Sequence, residues 1–107
     1  MNDAEIEQEM QDKGLIAPRV TLTLIEAKIA KIEYHLLGAT LTVCCLTLRN
    51  GFTVTGESAC ASPENFNEEL GRKISYYRAR SKIWELEGYL LREQLWHQAN
   101  DLKAEGL

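Results

Sequence analysis

The sequence predicts an α+β protein with an N-terminal helix, an antiparallel β-hairpin, and then one long or two C-terminal helices. Apolar residues recur at helical spacing on both sides of a central segment that is rich in Thr, Val, Leu and Cys. Asn50-Gly51 lies in the middle of that segment, and Asn-Gly between β-forming residues is the strongest short-range signal for a hairpin. The hairpin therefore organises the predicted fold.

The first predicted helix covers about residues 23–37. A capping box from Thr23 to Glu26 begins it, and Gly38 ends it. The apolar residues that follow the box recur at the spacing of one helix face. They are Ile25, Ile29, Ile32 and Leu36.

The two predicted strands run over about residues 40–49 and 52–60. A two-residue type I′ turn at Asn50-Gly51 would place Thr47 opposite Val54 and Cys45 opposite Gly56. In this register both faces of the hairpin carry apolar residues, with Leu46 and Leu48 on one of them. A two-stranded ribbon is marginal alone, so one face is expected to pack on the helices and the other to meet a second copy, a longer sheet or a ligand. Because both faces are apolar, we predict a homo-oligomer, most simply a dimer.

The C-terminal helical region is predicted to begin at Ser62-Pro63-Glu64, because Ser is a good N-cap and Pro suits the first helical position. It continues to about residue 100, with a break favoured near Trp84–Leu86. A buried stripe of Phe66, Leu70, Ile74 and Tyr77 is predicted at its start. Trp84, Tyr89 and Trp96 are expected in the core or in a subunit interface.

Composition predicts one domain. Residues 1–14 are interpreted as an acidic flexible arm, with a short helix around Ile6 and Met10 as the alternative, and residues 15–107 as a single α+β domain. The chain is 45% hydrophobic and 26% charged, as in ordinary globular proteins, and has no apolar run long enough for a membrane anchor. The N-terminus lacks the pattern of a secretory signal, so we expect a cytoplasmic protein with reduced thiols.

The best electrostatic clue to function is a basic segment, residues 71–84. It contains five cations and no acid, although the chain as a whole has a net charge of −4. Arg72, Tyr76 and Arg80 recur every four residues on one helix face, a pattern that suits phosphate contact and base stacking. The alternative is a solvated face paired with nearby Glu residues. The candidate binding residues are Arg49, Asn50, Arg72, Tyr76, Arg80 and Trp84.

Several classes of function are disfavoured. Nucleic acid is an unexpected main partner because the net charge is −4 and no nucleic-acid motif is present. His35 and His97 lie far apart without neighbouring ligands at metal spacing, so no metal and no cofactor is expected. The three cysteines fit neither a disulfide framework nor a zinc site and are interpreted as small buried hydrophobic residues. With no catalytic signature, we predict that the protein is not an enzyme.

Residues 42–91 carry, in fixed order, the segments LRNGF, TGESAC, PENF, GRK and IWELEGYLL. On these segments the chain resembles a family of small tailed-phage proteins catalogued by the gene numbers forty-nine and sixty-six of its founding phages. A proline commonly follows the tryptophan that corresponds to Trp84 in that family, whereas this chain has Glu85. The resemblance implies a protein made in the host bacterial cytoplasm from phage or prophage DNA.

In that context two functions are open. The first is a phage accessory protein that binds and modulates a host bacterial protein, in host takeover or anti-defence. The alternative is non-enzymatic sequestration of an anionic nucleotide-type signalling molecule of host immunity. In the alternative, Arg72 and Arg80 would neutralise phosphate, Tyr76 or Trp84 would stack on a base, and Arg49 with the Asn50 backbone would close the site.

Overall fold

A computed structural model of the chain describes residues 2–105, with side chains described as far as residue 101. The first residue of the predicted arm and residues 106–107 of the predicted domain lie outside the described residues. The elements are α1 (Asp3–Asp12), α2 (Leu22–Lys28), β1 (Ile29–Leu37), β2 (Leu41–Leu48), β3 (Thr53–Ala59), a 3₁₀ turn (Pro63–Asn65) and α3 (Glu68–Glu105). The α+β class, the hairpin and the long C-terminal helix are confirmed.

The acidic N-terminal segment, predicted as a flexible arm, is helical over Asp3–Asp12. Asn2 caps this helix, since its side chain accepts a hydrogen bond from the Glu5 N–H at 2.8 Å and the Glu5 carboxylate accepts one from the Asn2 N–H. Such a capping box satisfies two donors that a helix start leaves free. The division of the chain into an arm and a domain remains a prediction.

The predicted helix over residues 23–37 is wrong in its second half. Helix α2 ends at Lys28, and the chain continues directly as β1, which pairs antiparallel with β2. Residues 31–36 alternate between polar and apolar side chains, which is the period of a half-buried strand. The prediction followed the helical spacing of Ile29, Ile32 and Leu36, which the same segment also contains. Tertiary pairing decides for the strand, because it completes a three-stranded sheet of order β1-β2-β3.

The Asn50-Gly51 turn is present, but its loop has three residues. The Gly51 N–H donates to the Leu48 carbonyl at 2.9 Å, and the Leu48 N–H donates to the Phe52 carbonyl at 2.8 Å. Backbone φ is positive at Gly51 (91°) and not at Asn50, whereas a type I′ turn requires it at both.

The longer loop shifts the strand register by one residue from the prediction. Val54 pairs with Leu46 instead of the predicted Thr47, and Gly56 pairs with Cys44 instead of the predicted Cys45. A one-residue slip moves every side chain of one strand to the other face of the sheet. Val54 therefore joins Leu46 in the core.

The sheet is covered on one face, where α2 and α3 pack against it. Leu46 is fully buried and Leu48 is 8% exposed within a single chain, so these two residues give no reason for a second copy. The buried apolar core consists of Ile25, Cys44, Leu46, Leu48, Val54, Ala79 and Ile83.

Helix α3 meets the sheet through small residues. Its buried stripe is Gly71, Ser75, Ala79 and Ile83, one residue per turn. The predicted stripe is wrong, since Leu70 is 55% and Tyr77 is 59% exposed. The small side chains bring the helix backbone against Gly56, where an added Cβ would lie 2.2 Å from the Ala79 nitrogen and the Ser75 oxygen. Close backbone packing, rather than large apolar side chains, selects the buried face.

Helix α3 is continuous through Trp84–Leu86, so the favoured break is absent. At about 1.5 Å per residue its 38 residues span about 57 Å. The helix passes the hairpin loop at Leu86 and Tyr89, which share a groove with Phe52. The remaining residues extend about 24 Å further. Near the expected break only Gly88 opposes continuation of the helix, and a single glycine costs a helix only about 1 kcal/mol.

Candidate functional site

Arg49 and Asn50 hold the hairpin loop in place. The Arg49 Nε–H donates to the carbonyl of Ala27, and the Arg49 N–H donates to the carbonyl of Lys28 at 2.9 Å. The Asn50 side-chain oxygen accepts a hydrogen bond from the Phe52 N–H at 3.0 Å. These bonds satisfy carbonyls that the C-terminus of α2 leaves free and fasten the loop to that helix. Both predicted site residues are thus engaged within the chain.

Arg72 lies at the opposite end of the sheet. Its guanidinium forms an ion pair with Glu68 at 3.0 Å and stacks over the Tyr34 ring, 5.1 Å from the centroid. Tyr34 packs against the core and has a raised pKa, chiefly because of its burial. The Arg72 side chain is 52% exposed, so this pairing leaves part of the charge open to solvent.

Arg80 is the most enclosed of the predicted cations. Its Nη2 donates to the Asp3 carboxylate at 2.8 Å, and its side chain is 16% exposed. Its guanidinium also stacks over the Tyr76 ring, 5.3 Å from the centroid, which places Tyr76 and Arg80 on the same side of α3 as predicted. Trp84 packs against the core and lines the same cavity as Arg80.

The six candidate residues therefore form separate groups. Arg72 and Arg80 are eight residues apart on one helix, or about 12 Å along its axis. The hairpin loop lies beside Tyr89, a further nine residues along, so Arg49 is more than about 20 Å from Arg72. Arg80 contacts the Tyr76 ring and shares a cavity with Trp84. Arg72 instead pairs with Glu68 and Tyr34, and Arg49 and Asn50 lie at the hairpin loop, away from that cavity.

A cavity of about 320 Å³ lies between α1 and α3. Ligand pockets for small molecules begin at about this size. Its lining is mainly apolar with one cation, Arg80, whose charge is already paired with Asp3. The lining residues are Asp3, Ile6, Glu7, Met10, Val20, Leu22, Tyr77, Arg80, Ser81 and Trp84.

The acidic residues of α1 are the part of this site that sequence reasoning missed. Glu7 forms an ion pair with Arg19, and this hydrogen bond is the main reason that the pKa of Glu7 lies below its ordinary value. The available signal was a helix face that carries Asp3, Ile6, Glu7 and Met10, opposite in charge to the basic segment of α3. That complementarity becomes visible only once the two helices are known to meet.

A second, more open groove of about 460 Å³ lies on another side of α3, against β3. Phe52, Leu86 and Tyr89 give it an apolar and aromatic lining, and Tyr89 is 72% exposed. Trp96 is 50% exposed further along the same helix. Tyr89 and Trp96 therefore lie outside the core of this chain, whereas Trp84 packs against it.

The cysteines and histidines form no reactive cluster in the described part of the chain. Burial, with a smaller effect from the Cys45 thiolate charge, raises the pKa of the Cys44 thiol to about 11, so this thiol is protonated at neutral pH. His35 lies 3.8 Å from Glu33 at the sheet, and His97 lies 3.3 Å from Glu93 on α3. Among the described residues, no three His, Cys, Asp or Glu side chains are placed to hold a metal ion.

Fold and surfaces together define a small α+β protein whose distinctive features are a basic segment within α3, a cavity under the acidic helix α1 and an aromatic groove. Over the described residues no helix has the length and apolar character needed to cross a membrane.

Residues 20–95 match the model of the phage protein (N4 Gp49/phage Sf6 gene 66) family, and the chain belongs to that family. The match confirms the resemblance predicted from residues 42–91. No curated protein and no solved structure matches the chain.

Proposed function

We propose that this phage protein is an accessory factor that acts in the host bacterial cytoplasm by binding and modulating a host protein, in host takeover or anti-defence. The observation that carries the proposal is the aromatic groove between the hairpin loop and α3. Phe52 is 54% exposed, Leu86 42% and Tyr89 72%. Clusters of exposed aromatic and aliphatic side chains are typical of protein interfaces, and Tyr and Trp are over-represented among the residues that dominate binding.

The extension of α3 enlarges this surface. Leu90 and Trp96 follow Tyr89 at 46% and 50% exposure, so apolar side chains continue past the sheet. A rigid helix can present such residues to a partner with little loss of conformational entropy. The groove contains one cation, Lys82, and one acid, Glu85, which suits a predominantly apolar contact.

Capture from host lysate with matched variants tests this proposal. Tyr89→Glu places a charge in the groove, and we expect it to abolish capture of the protein that the wild-type chain retains. Ile16→Glu is the control, since Ile16 is 75% exposed and lies outside the groove. Loss of the same protein with both variants, or with neither, would contradict the proposal, provided that circular dichroism shows both to be folded.

We also propose that the chain self-associates, and that it does so through α3 rather than through the hairpin. Because Leu46 and Leu48 are buried within the chain, the exposed residues of the C-terminal half of α3 are what support a homo-oligomer. Light scattering at tens of micromolar should give a mass above that of one chain for the wild type and a lower one for Tyr89→Glu. A monomer in both cases would remove the self-association proposal while leaving host binding open.

The nucleotide alternative remains the second candidate because Arg80 and Trp84 line one cavity of about 320 Å³. Binding without turnover would place a phosphate at Arg80 and a base near Trp84, and it would require release of Asp3. Calorimetry against a panel of cyclic and linear nucleotides tests it. Heat that is lost with Arg80→Ala and kept with Arg72→Ala would favour sequestration, and no heat with any member would favour the protein partner.

A further inference from the structure

Helix α1 covers a surface of α3 that is distinct from the aromatic groove, since the two cavities share no lining residue. Two ion pairs fasten it, Asp3 with Arg80 at 2.8 Å and Glu7 with Arg19. The side chains of Arg80 and Arg19 are only 16% and 18% exposed. Both cations are therefore partly desolvated and depend on carboxylates from α1 for their charge partners.

Few buried contacts hold α1 against this surface. No residue of α1 is buried, and the cavity of about 320 Å³ separates much of it from Trp84. The apolar side chains of α1 are thus only partly removed from water, with Ile6 still 43% exposed, and apolar burial is the main source of docking free energy. Segments with few buried contacts open most readily.

Helix α1 and the surface that it covers also differ in whether the family match includes them. The family match begins at residue 20, so α1 lies before it, whereas Tyr77, Arg80 and Trp84 lie within it. The part of the covered surface that α3 supplies thus belongs to the fold that the family model describes, whereas Arg19 and α1 precede the matched residues.

The docked face of α1 defines the chemistry that this surface accepts. Asp3, Ile6, Glu7 and Met10 line the cavity from one side of the helix, at positions i, i+3, i+4 and i+7. The face thus offers two carboxylates one helical turn apart, with apolar side chains beside them. Recognition of an amphipathic helix in a groove uses anchors at these spacings.

We propose that the surface formed by Arg19, Tyr77, Arg80 and Trp84 binds an acidic amphipathic helix of a partner protein, and that α1 occupies this surface within the chain until the partner displaces it. Carboxylates at i and i+4 of the partner helix replace Asp3 and Glu7, and apolar side chains enter the cavity. Arg19 Nε is buried without a hydrogen-bond partner among the described residues, so a partner carboxylate can gain a bond that Glu7 does not make. The inference rests on the proposed function only in assigning the helix to a host protein.

A fluorescent peptide of residues 2–13, NDAEIEQEMQDK, serves as the probe against the full-length chain. Anisotropy should show weak binding to the wild type and binding about tenfold tighter to the Asp3→Ala/Glu7→Ala variant, because the competing segment is weakened. A scrambled peptide of the same composition is the control. Arg80→Glu should abolish binding. A peptide with lysine in place of Asp3 and Glu7 should bind the Arg19→Glu/Arg80→Glu variant.

Equal affinity for wild type and the double alanine variant, or binding that survives Arg80→Glu, would overturn the proposal. A wild-type dimer that dissociates with Asp3→Ala would assign the surface to α1 of a second copy and would also overturn it. Rescue by the charge-reversed peptide shows that a variant is folded, so loss of binding cannot be a folding defect. Tyr89 is unchanged throughout, so failure here leaves the capture assay for host binding unaffected.

Discussion

Gly56 is the position where a single methyl group should do most damage to this fold. An added Cβ would lie 2.2 Å from two backbone atoms of α3, on Ala79 and Ser75, and neither can move without the helix. Restoring an ordinary contact of about 3.4 Å requires α3 to move outward by about 1 Å, and a gap of that size forfeits a quarter to a half of the dispersion energy of each opened contact. Ala79 and Ile83, both fully buried, would lose contacts together.

We expect Gly56→Ala to cost about 3 kcal/mol, the upper part of the range for overpacked cores, because the obstruction is backbone. A domain of this size has a total stability of about 5–15 kcal/mol. The midpoint of thermal unfolding should therefore fall by about 12–24 °C. Circular dichroism during heating, and urea denaturation with an unchanged slope, measure the effect.

Gly88→Ala is the matched control. Gly88 lies within α3, and an added Cβ there meets nothing within 4 Å. The same substitution should stabilise the chain by about 0.5–1 kcal/mol, since alanine is the better helix former. A Gly56→Ala midpoint within about 2 °C of wild type would refute the close packing of α3 on β3.

Two further predictions concern ionisable groups. Iodoacetamide at neutral pH should modify Cys45 and Cys60 much faster than Cys44, since burial raises the pKa of the Cys44 thiol to about 11. Mass spectrometry measures the three rates, and comparable rates would contradict the buried position of Cys44. The pKa of Glu7 is lowered in the docked state, so its charge favours docking of α1 above the ordinary value of 4.5, and this contribution is lost as pH falls through the lowered pKa. Amide hydrogen exchange across α1 should lose protection over that acidic range in the wild type, and the loss should be smaller in Glu7→Gln. Identical profiles would exclude the Arg19 ion pair as a cause.

Local signals in the sequence were sufficient for several features. Asn50-Gly51 predicts a hairpin because few other residue pairs accept its turn geometry, and Gly51 does adopt a positive φ. The Thr- and Val-rich segments around it predict strands, and the long apolar period after residue 66 predicts a helix. These features follow from backbone preferences of a few neighbouring residues, so no distant contact is needed to decide them.

The candidate site could be predicted only in part. The four-residue spacing correctly placed Tyr76 and Arg80 on one side of α3, because helical periodicity is local. It could not show that Arg49 and Arg72 lie near opposite ends of the sheet, since their separation depends on how the hairpin crosses the helix. Nor could it show that Asp3 neutralises Arg80 across 77 residues of chain.

Tertiary structure decided the remaining features by selecting between local patterns of similar strength. Residues 31–36 fit both a helix face and a strand, and the free edge of β2 selected the strand because a third strand stabilises the ribbon. The predicted apolar stripe at the start of α3 gave way to Gly71, Ser75 and Ala79, because small residues allow the helix backbone to contact Gly56. The sequence by itself determined which elements could form. Tertiary packing determined the strand register, the buried faces and the pairing of charges, because each of these depends on contacts between residues that are distant in the chain.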